Sequence, residues 1–485
     1  MRLRISSATR NCARQFLPLL AVLTLAVGGC APAPRPPAPP KPPVAAAVEQ
    51  EPQDLRDFPQ NATALLAQAS ATAGLEAPFL SPEAQARFLE RFRAAHFGPW
   101  AQANATFGPA NALWGLGKLS ANSHYGENLR PLGQGFRAEM EAQCQAWSYP
   151  SPVRMAIATS NTDLRVLPTI RPGFLKPTRP GEGYPFDYWQ NSGVWAGTPL
   201  VVTHLSADGA WALVEARNAG GWVRVADIAY VDETFMALWR ALPLLAVTRE
   251  HTPVTAPADK GGVNLFDGRI GTVLPLLAED ESGYTALAPA RGVDGQAVAV
   301  SVRIAKADAA AMPLAATPRN LARLADQVLG QPYGWGGYLQ NRDCSALMLD
   351  VLAPFGLFLP RNSGQQAKAG EYVSFEGLTG PQKEALVLSR GVPLLTLLYK
   401  RGHIMLYLGQ FQGRAAMLHA VWGLKTLSDA GAEGRKVIGR TAITSLEPGR
   451  ELPEVARSGT LLEHMAGMTL LAPGGNPPAT PDRTR

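Results

Sequence analysis

Pro332-Tyr-Gly-Trp-Gly-Gly-Tyr-Leu-Gln-Asn-Arg-Asp-Cys-Ser-Ala-Leu-Met-Leu-Asp-Val-Leu352 joins a glycine-broken turn to an apolar run that stops before Pro354. Asp343 is a strong N-cap, so the run reads as a helix with Cys344 in its first turn. Orphan backbone N–H groups and the positive end of the helix dipole there favour a thiolate and lower the thiol pKa. The adjacent Asp343 carboxylate opposes that effect, so the thiol also needs a base. Taken alone, the segment equally describes a buried structural cysteine. Partners elsewhere in the chain decide between the two.

Those partners lie 59 residues on, where Gly402-His-Ile-Met-Leu-Tyr-Leu-Gly409 and Ala415-Ala-Met-Leu-His-Ala-Val421 read as two strands around a Gly409–Gly413 turn. A hairpin centred on Phe411 sets His403 directly opposite His419. Alternation then places Met405 and Tyr407 on the His403 face, with Ile404, Leu406 and Leu408 on the other. Two imidazoles side by side suit a relay in which one takes the thiol proton and the other fixes its tautomer and orientation.

Working outward, Pro318-Arg-Asn-Leu-Ala-Arg-Leu-Ala-Asp-Gln-Val-Leu329 reads as a helix ahead of the cysteine segment. Short β-rich runs at roughly ten-residue spacing, broken by Gly turns, fill Pro152 to about Leu245 and read as a small barrel. The stretch from Val247 to Ala310 repeats that texture. From Asp54 to Trp147 the pattern is helical, with Ser81-Pro82 as N-cap and first helical residue.

At the front, Arg2, Arg4, Arg10 and Arg14 precede an apolar run from Phe16 to Val27 that ends in Gly28-Gly29-Cys30. This is a secretory signal, too short to span a bilayer. Those four arginines account for most of the formal +6, so the remainder, at about +2, carries no nucleic-acid footprint. Hydrophobic residues at 46% and charged residues at 17% exclude a disordered chain. Ala31 to Pro43 is a semi-rigid Pro/Ala spacer. Of the four cysteines, Cys144 ends a helical stretch and reads as a buried small hydrophobe. A Cys144–Cys344 disulfide is open in an exported chain, although the surroundings of Cys344 argue against it. No CxxC or HExxH occurs, so neither a metal site nor a cofactor is expected.

Tyr333-Gly-Trp-Gly-Gly337, Asp343-Cys-Ser345, Gly402–Gly409 and Leu418-His-Ala420, in that order, resemble the NlpC/P60 papain-like cysteine peptidases over roughly residues 317–450. The preceding segments resemble the helical stabilising domain and two bacterial SH3-like barrels found ahead of the peptidase in γ-D-glutamyl-L-diamino acid endopeptidases. The resemblance implies a multidomain α+β fold: signal 1–29, linker 30–50, helical domain 51–150, SH3-like barrels 151–245 and 246–312, peptidase 313–472 and a frayed tail 473–485. It makes Cys344 the nucleophile, His403 the general base, His419 the orienting residue and Tyr333 the oxyanion donor. Asp343, Ser345, Asn362 and Ser363 would line the subsite for a free α-amino group, with Asn362 standing where relatives often have Asp and Ala346 where they have Gly.

Val27-Gly-Gly-Cys30 resembles a bacterial lipobox, which implies diacylation of Cys30 and, with Ala31 next, anchoring on the periplasmic side of a Gram-negative outer membrane. The expected function is therefore a lipid-anchored peptidase of peptidoglycan stem peptides, restricted to free N-terminal L-Ala if the first barrel closes the cleft. The rival expectation is a non-catalytic wall-binding lipoprotein with an idle peptidase fold.

Overall fold

Ser81 accepts a hydrogen bond from the Ala84 N–H and Pro82 occupies the first helical position, so the helix Pro82–Phe97 begins where its cap chemistry requires. The same logic starts Pro318–Val328, where the Thr317 side chain accepts from the Asn320 N–H. The structure is a computed structural model and describes residues 51–69, 74–119, 123–455 and 460–471. The signal, Cys12, the 30–50 linker with Cys30 and the 473–485 tail lie outside the described residues.

Helices Pro318–Val328 and Cys344–Leu352 pack on one face of a six-stranded antiparallel sheet. Its spatial order is Glu371–Ser374, Met465–Leu470, Thr396–Lys400, His403–Phe411, Arg414–Leu427 and Glu433–Thr444. Period-two alternation sorts the apolar residues of the fourth strand, His403–Phe411, as expected. Ile404, Leu406 and Leu408 join Leu347, Met348 and Val351 in one core. Met405, Tyr407 and Met417 join Phe375 and Val387, the latter from helix Gly380–Arg390, in another.

Two further antiparallel sheets precede this one: seven strands between Arg154 and Tyr230, and five between Leu244 and Ala311. Between them stands a helix that the sequence reading lacks, Glu233–Ala241, capped by Asp232 and burying Phe235, Met236 and Trp239. Strand Leu244–Val247 pairs with Val273–Asp280 and Ala309–Ala311, so it belongs to the second sheet rather than closing the first at residue 245. The helix ends one apolar sheet and starts the next, so the division falls on it.

The N-terminal helices build no core of their own. Phe58, Ala62, Leu65 and Leu66 complete the core beneath the Cys344 helix. Asn61 Oδ1 caps helix Ala62–Ala69 by accepting from the Ala64 N–H at 2.7 Å, and Asp326 of another helix adds an acceptor for Thr63 Oγ1 at 2.7 Å. Gln60 donates to the Ile443 carbonyl at 2.8 Å and accepts from the Ile443 N–H at 3.0 Å, covering the exposed edge of the peptidase sheet. Further on, Phe92, Phe97 and Trp100 pack with Phe235 and Trp239, and Phe136, Met140 and Cys144 with Trp189 and Trp222. Among the described residues no helix is long and apolar enough to cross a membrane.

Because Leu65 is fully buried in the peptidase core, Leu65→Ala is expected to destabilise that core by about 2–5 kcal/mol. Chemical denaturation followed by peptidase-sheet signals checks this; an unchanged midpoint would mean the segment stands apart.

Candidate active site

The Cys344 helix starts under a heavily bonded cap. Asp343 Oδ1 accepts from the Ala346 N–H at 2.9 Å, from Ser345 Oγ at 3.1 Å and from Arg361 Nη1 at 3.1 Å. Oδ2 accepts from Arg361 Nη2 at 2.8 Å and from the Gly336 N–H at 3.1 Å. Carboxylate and guanidinium are both almost fully buried, at 3% and 2% exposure. Neither Cys344 nor Cys144 is in a disulfide, so the two are not bridged. Burial pushes the Cys144 thiol up to about 12, as suits an inert core group.

The two histidines meet, though not as the expected register has it. The chain reverses at Gln412-Gly413, both with positive φ, and Phe411 faces Arg414 across this two-residue turn. A bulge between Tyr407 and Gly409 then shifts the pairing, so Leu406 faces Leu418. Extending that register puts Val421, not His419, opposite His403. The imidazoles are diagonal neighbours on one face, close enough for side chains of this length, and His403 Nε2 lies 2.8 Å from His419 Nδ1.

The hydrogen-bond chain behind them assigns the tautomers. Thr444 Oγ1 donates to the Ser445 carbonyl at 2.7 Å, so it accepts from His419 Nε2 at 3.0 Å. That leaves His419 Nδ1 bare to accept from His403 Nε2–H. His403 Nδ1 is then the nitrogen left with a free lone pair, the atom that can act as base. Burial, aided by the Lys400 cation and opposed by Asp343, pulls the His403 imidazole down to about 3. Burial and the neighbouring His403 hold His419 well below its ordinary range. Both rings are neutral at pH 7, as a base and its orienting partner must be.

Cys344 opens into a cleft of about 1010 Å³. Its walls bring together Tyr333, Asp343, Ser345, Asn362 and Ser363, and the Arg401-Gly402 turn that leads into His403 completes the rim. The first barrel packs against Tyr333 and Trp335, two of the residues that line this cleft. Phe186 packs edge-on to Trp335 at 5.2 Å and to Trp422 at 5.3 Å, and lies 6.3 Å from Tyr333. Tyr188 lies 5.7 Å from Trp335. Of the other barrel aromatics, Tyr184 is exposed against Tyr338, and Trp195 donates to Asp350 at 3.0 Å, away from the cleft. Gly336 and Gly337 adopt positive φ where a Cβ would lie 2.5 Å from the Gln190 carbonyl oxygen and 2.4 Å from the Gly193 nitrogen. Only glycine lets the loop press this closely on the barrel.

Sequence reasoning passed over three participants. Arg361 carries no signature of its own and stands only beside the expected subsite residues Asn362 and Ser363. Ser192 Oγ, which accepts from Arg361 Nε at 2.8 Å, sits in a barrel strand with no local signature. Thr444 lies in an ordinary alternating strand, and no spacing rule singles it out. His204, His96 and His124 are packing groups. His204 bonds to Ser151 Oγ and the Cys144 carbonyl, His96 stacks on Phe92, and His124 lies 4.3 Å from Trp189.

A thiol at a helix start, a neutral imidazole and a second imidazole orienting it define the papain-like cysteine peptidase class. Residues 330–431 match the NlpC/P60 family, residues 16–149 the NLPC_P60 stabilising domain (N term), 172–224 the SH3 domain of SH3b1 type and 232–281 the SH3 domain of SH3b2 type. The chain thus carries an NlpC/P60 domain behind a matching stabilising domain and two SH3 domains. A solved NlpC/P60 endopeptidase from Photobacterium damselae subsp. piscicida is similar over 87% of this chain and 98% of its own, at 25% identity and TM-score 0.78. The γ-D-glutamyl-L-lysine dipeptidyl-peptidase of Bacillus subtilis (strain 168) is 30% identical over 153 residues, which span 31% of this chain and 45% of that relative.

Thr444→Val removes the acceptor that sets the relay and is expected to lower kcat by about 2–10-fold with KM little changed, the value of one net hydrogen bond. Steady-state kinetics reads the split.

His96, His124, His403 and His419 all have folded-state pKa values lowered by burial. The unfolded chain therefore binds more protons below its ordinary histidine pKa of about 6.5, and stability is fully present above that pH and lost as pH falls. Denaturant melts at pH 7.5 and pH 5 should show the lower midpoint at pH 5.

Proposed function

We propose that this peptidase hydrolyses the γ-D-glutamyl-L-diamino acid bond of peptidoglycan stem peptides and acts on peptides with a free N-terminal L-Ala. One observation carries the reading. The Tyr333–Trp335 loop that walls the cleft beside Cys344 is backed by another domain, through Phe186 and Tyr188 against Trp335. A wall there limits how far a substrate chain can extend past the cysteine, which favours short free peptides over cross-linked wall. The bond type follows the similarity to the Bacillus subtilis relative, whose name specifies a γ-D-glutamyl-L-lysine substrate.

In this reading the Cys344 thiol gives its proton to His403 Nδ1, and the sulfur attacks the γ-carbonyl carbon of D-Glu. The Tyr333 hydroxyl, which lines the cleft, donates to the developing oxyanion. Collapse breaks the C–N bond as the His403 imidazolium returns its proton to the leaving diamino-acid nitrogen. Water then attacks the thioester, losing a proton to His403, and the C–S bond breaks to free the acid and the thiol. His419 holds the imidazole in the required tautomer through both halves. The proposal extends to location: export through the 1–29 signal and acylation of Cys30 would hang the enzyme from a membrane facing the periplasm.

Full-length protein in detergent is incubated with L-Ala-γ-D-Glu-diaminopimelate and with its N-acetylated form, and products are followed by mass spectrometry with Cys344→Ala as control. Release of L-Ala-D-Glu from the free peptide only, abolished in the control, is the expected result. Cleavage of both peptides would replace the recycling reading with an open wall hydrolase. Cleavage of neither would favour the wall-binding lipoprotein. For the anchor, Cys30→Ala is expected to release the protein from the membrane fraction.

A further inference from the structure

We propose that Arg361 is a positioning residue for the nucleophile: by closing a two-pronged fork on Asp343 it cancels the negative charge beside the Cys344 sulfur. This rests on the cysteine-peptidase reading above and concerns what makes the thiol ready.

The argument begins with a conflict inside the helix start. The helix needs a cap, and Asp343 supplies it by accepting from the Ala346 N–H. A carboxylate one residue before the nucleophile, at 3% exposure, would oppose a thiolate, because like charges at short range in a low-dielectric site repel strongly. The helix terminus favours the thiolate by a comparable amount. Capped by a bare carboxylate, the two effects offset each other.

Arg361 resolves the conflict geometrically. Nη1 and Nη2 reach the two oxygens of Asp343 at 3.1 and 2.8 Å, a bidentate arrangement that a lysine ammonium does not reproduce. The guanidinium is itself held in place. Nε donates to Ser192 Oγ of the first barrel and Nη1 also donates to Ser345 Oγ, each at 2.8 Å. The ion pair leaves the thiol facing helix N–H groups rather than a naked anion. The other charged or titratable groups around the thiol are Lys400 and Arg401 from the strand end and turn, His403 with His419 behind it, Tyr333 from the loop before the helix, and Lys368, Tyr372 and Tyr399 further along the cleft. Arg361 holds Asp343 by two hydrogen bonds.

A consequence concerns the substrate. Asp343 accepts five hydrogen bonds, which exhausts the roughly four lone-pair sites of a carboxylate. Although it lines the cleft, its charge is committed to Arg361, so it acts on the thiol rather than as the counter-ion of a substrate ammonium.

The test is the pH dependence of Cys344 alkylation by iodoacetamide in the full-length protein, with modification read on the Cys344-containing peptide by mass spectrometry. It needs no substrate, so its failure is separable from failure of the functional reading. Arg361→Gln is expected to raise the alkylation midpoint by about 1–3 pH units, the range for losing one close opposite charge. Arg361→Lys should recover part of that shift. Asp343→Asn/Arg361→Gln, with cap geometry kept and both charges gone, should return the midpoint close to that of the parent. Asp343→Asn alone, with its fold checked by circular dichroism, should lower the midpoint and change kcat more than KM. An unchanged midpoint in Arg361→Gln, a double variant shifted as far as the single one, or an unchanged or raised midpoint in Asp343→Asn would each overturn the proposal.

Discussion

A carboxylate buried to 3% exposure cannot stand alone, and the way Asp343 is satisfied governs much of this molecule. Its partners come from four places: its own helix, the Gly336 loop, the Arg361 segment and, through Arg361, Ser192 of the first barrel. Removing any one leaves polar atoms buried without partners, so the loop, the helix and the barrel must arrive together. The thiol that depends on them is the first residue of the helix so capped.

The same economy joins the second barrel. Arg342, 2% exposed, bonds Glu250 at 2.7 Å and Asp350 at 2.8 Å, and donates to the Ile270 carbonyl at 2.9 Å. Asp350 lies one turn beyond the nucleophile's own turn on the same helix and also accepts from Trp195 of the first barrel. Buried ion pairs of this kind contribute little net stability, because desolvation offsets the attraction, but breaking one is costly. Their effect here is to specify one seating of both barrels on the catalytic helix. The hydrophobic terms are supplied separately, by N-terminal helices that lend side chains to three cores.

Much of the site was legible because its signals are local. Asp343 before Cys344 is cap chemistry, and Gly336-Gly337 is punctuation that demands positive φ. His403 and His419 are an even number of residues apart in two alternating strands, so they share a face under any register that keeps parity. That is why the relay survived a wrong hairpin centre: the Gln412-Gly413 turn and the Gly409 bulge move the partner of His403 by two residues, and the face is unchanged. The division near residue 245 was misplaced for a related reason, since strand Leu244–Val247 reads the same whichever sheet it joins. Ser192, Thr444 and the Gln60 edge cover carry no local pattern, because each acts on a partner more than 20 residues away.

The amino-acid sequence by itself determined the helix-start thiol, its helix, the two paired histidines and the order of the parts, since each follows from cap chemistry, strand period and turn residues within a few positions of one another. Tertiary structure alone decided which imidazole nitrogen keeps its lone pair open, what pairs with Asp343 and which domain backs the loop beside the cleft. Those depend on hydrogen bonds and contacts across long sequence separations, where geometry in three dimensions, and no local preference, selects the partner.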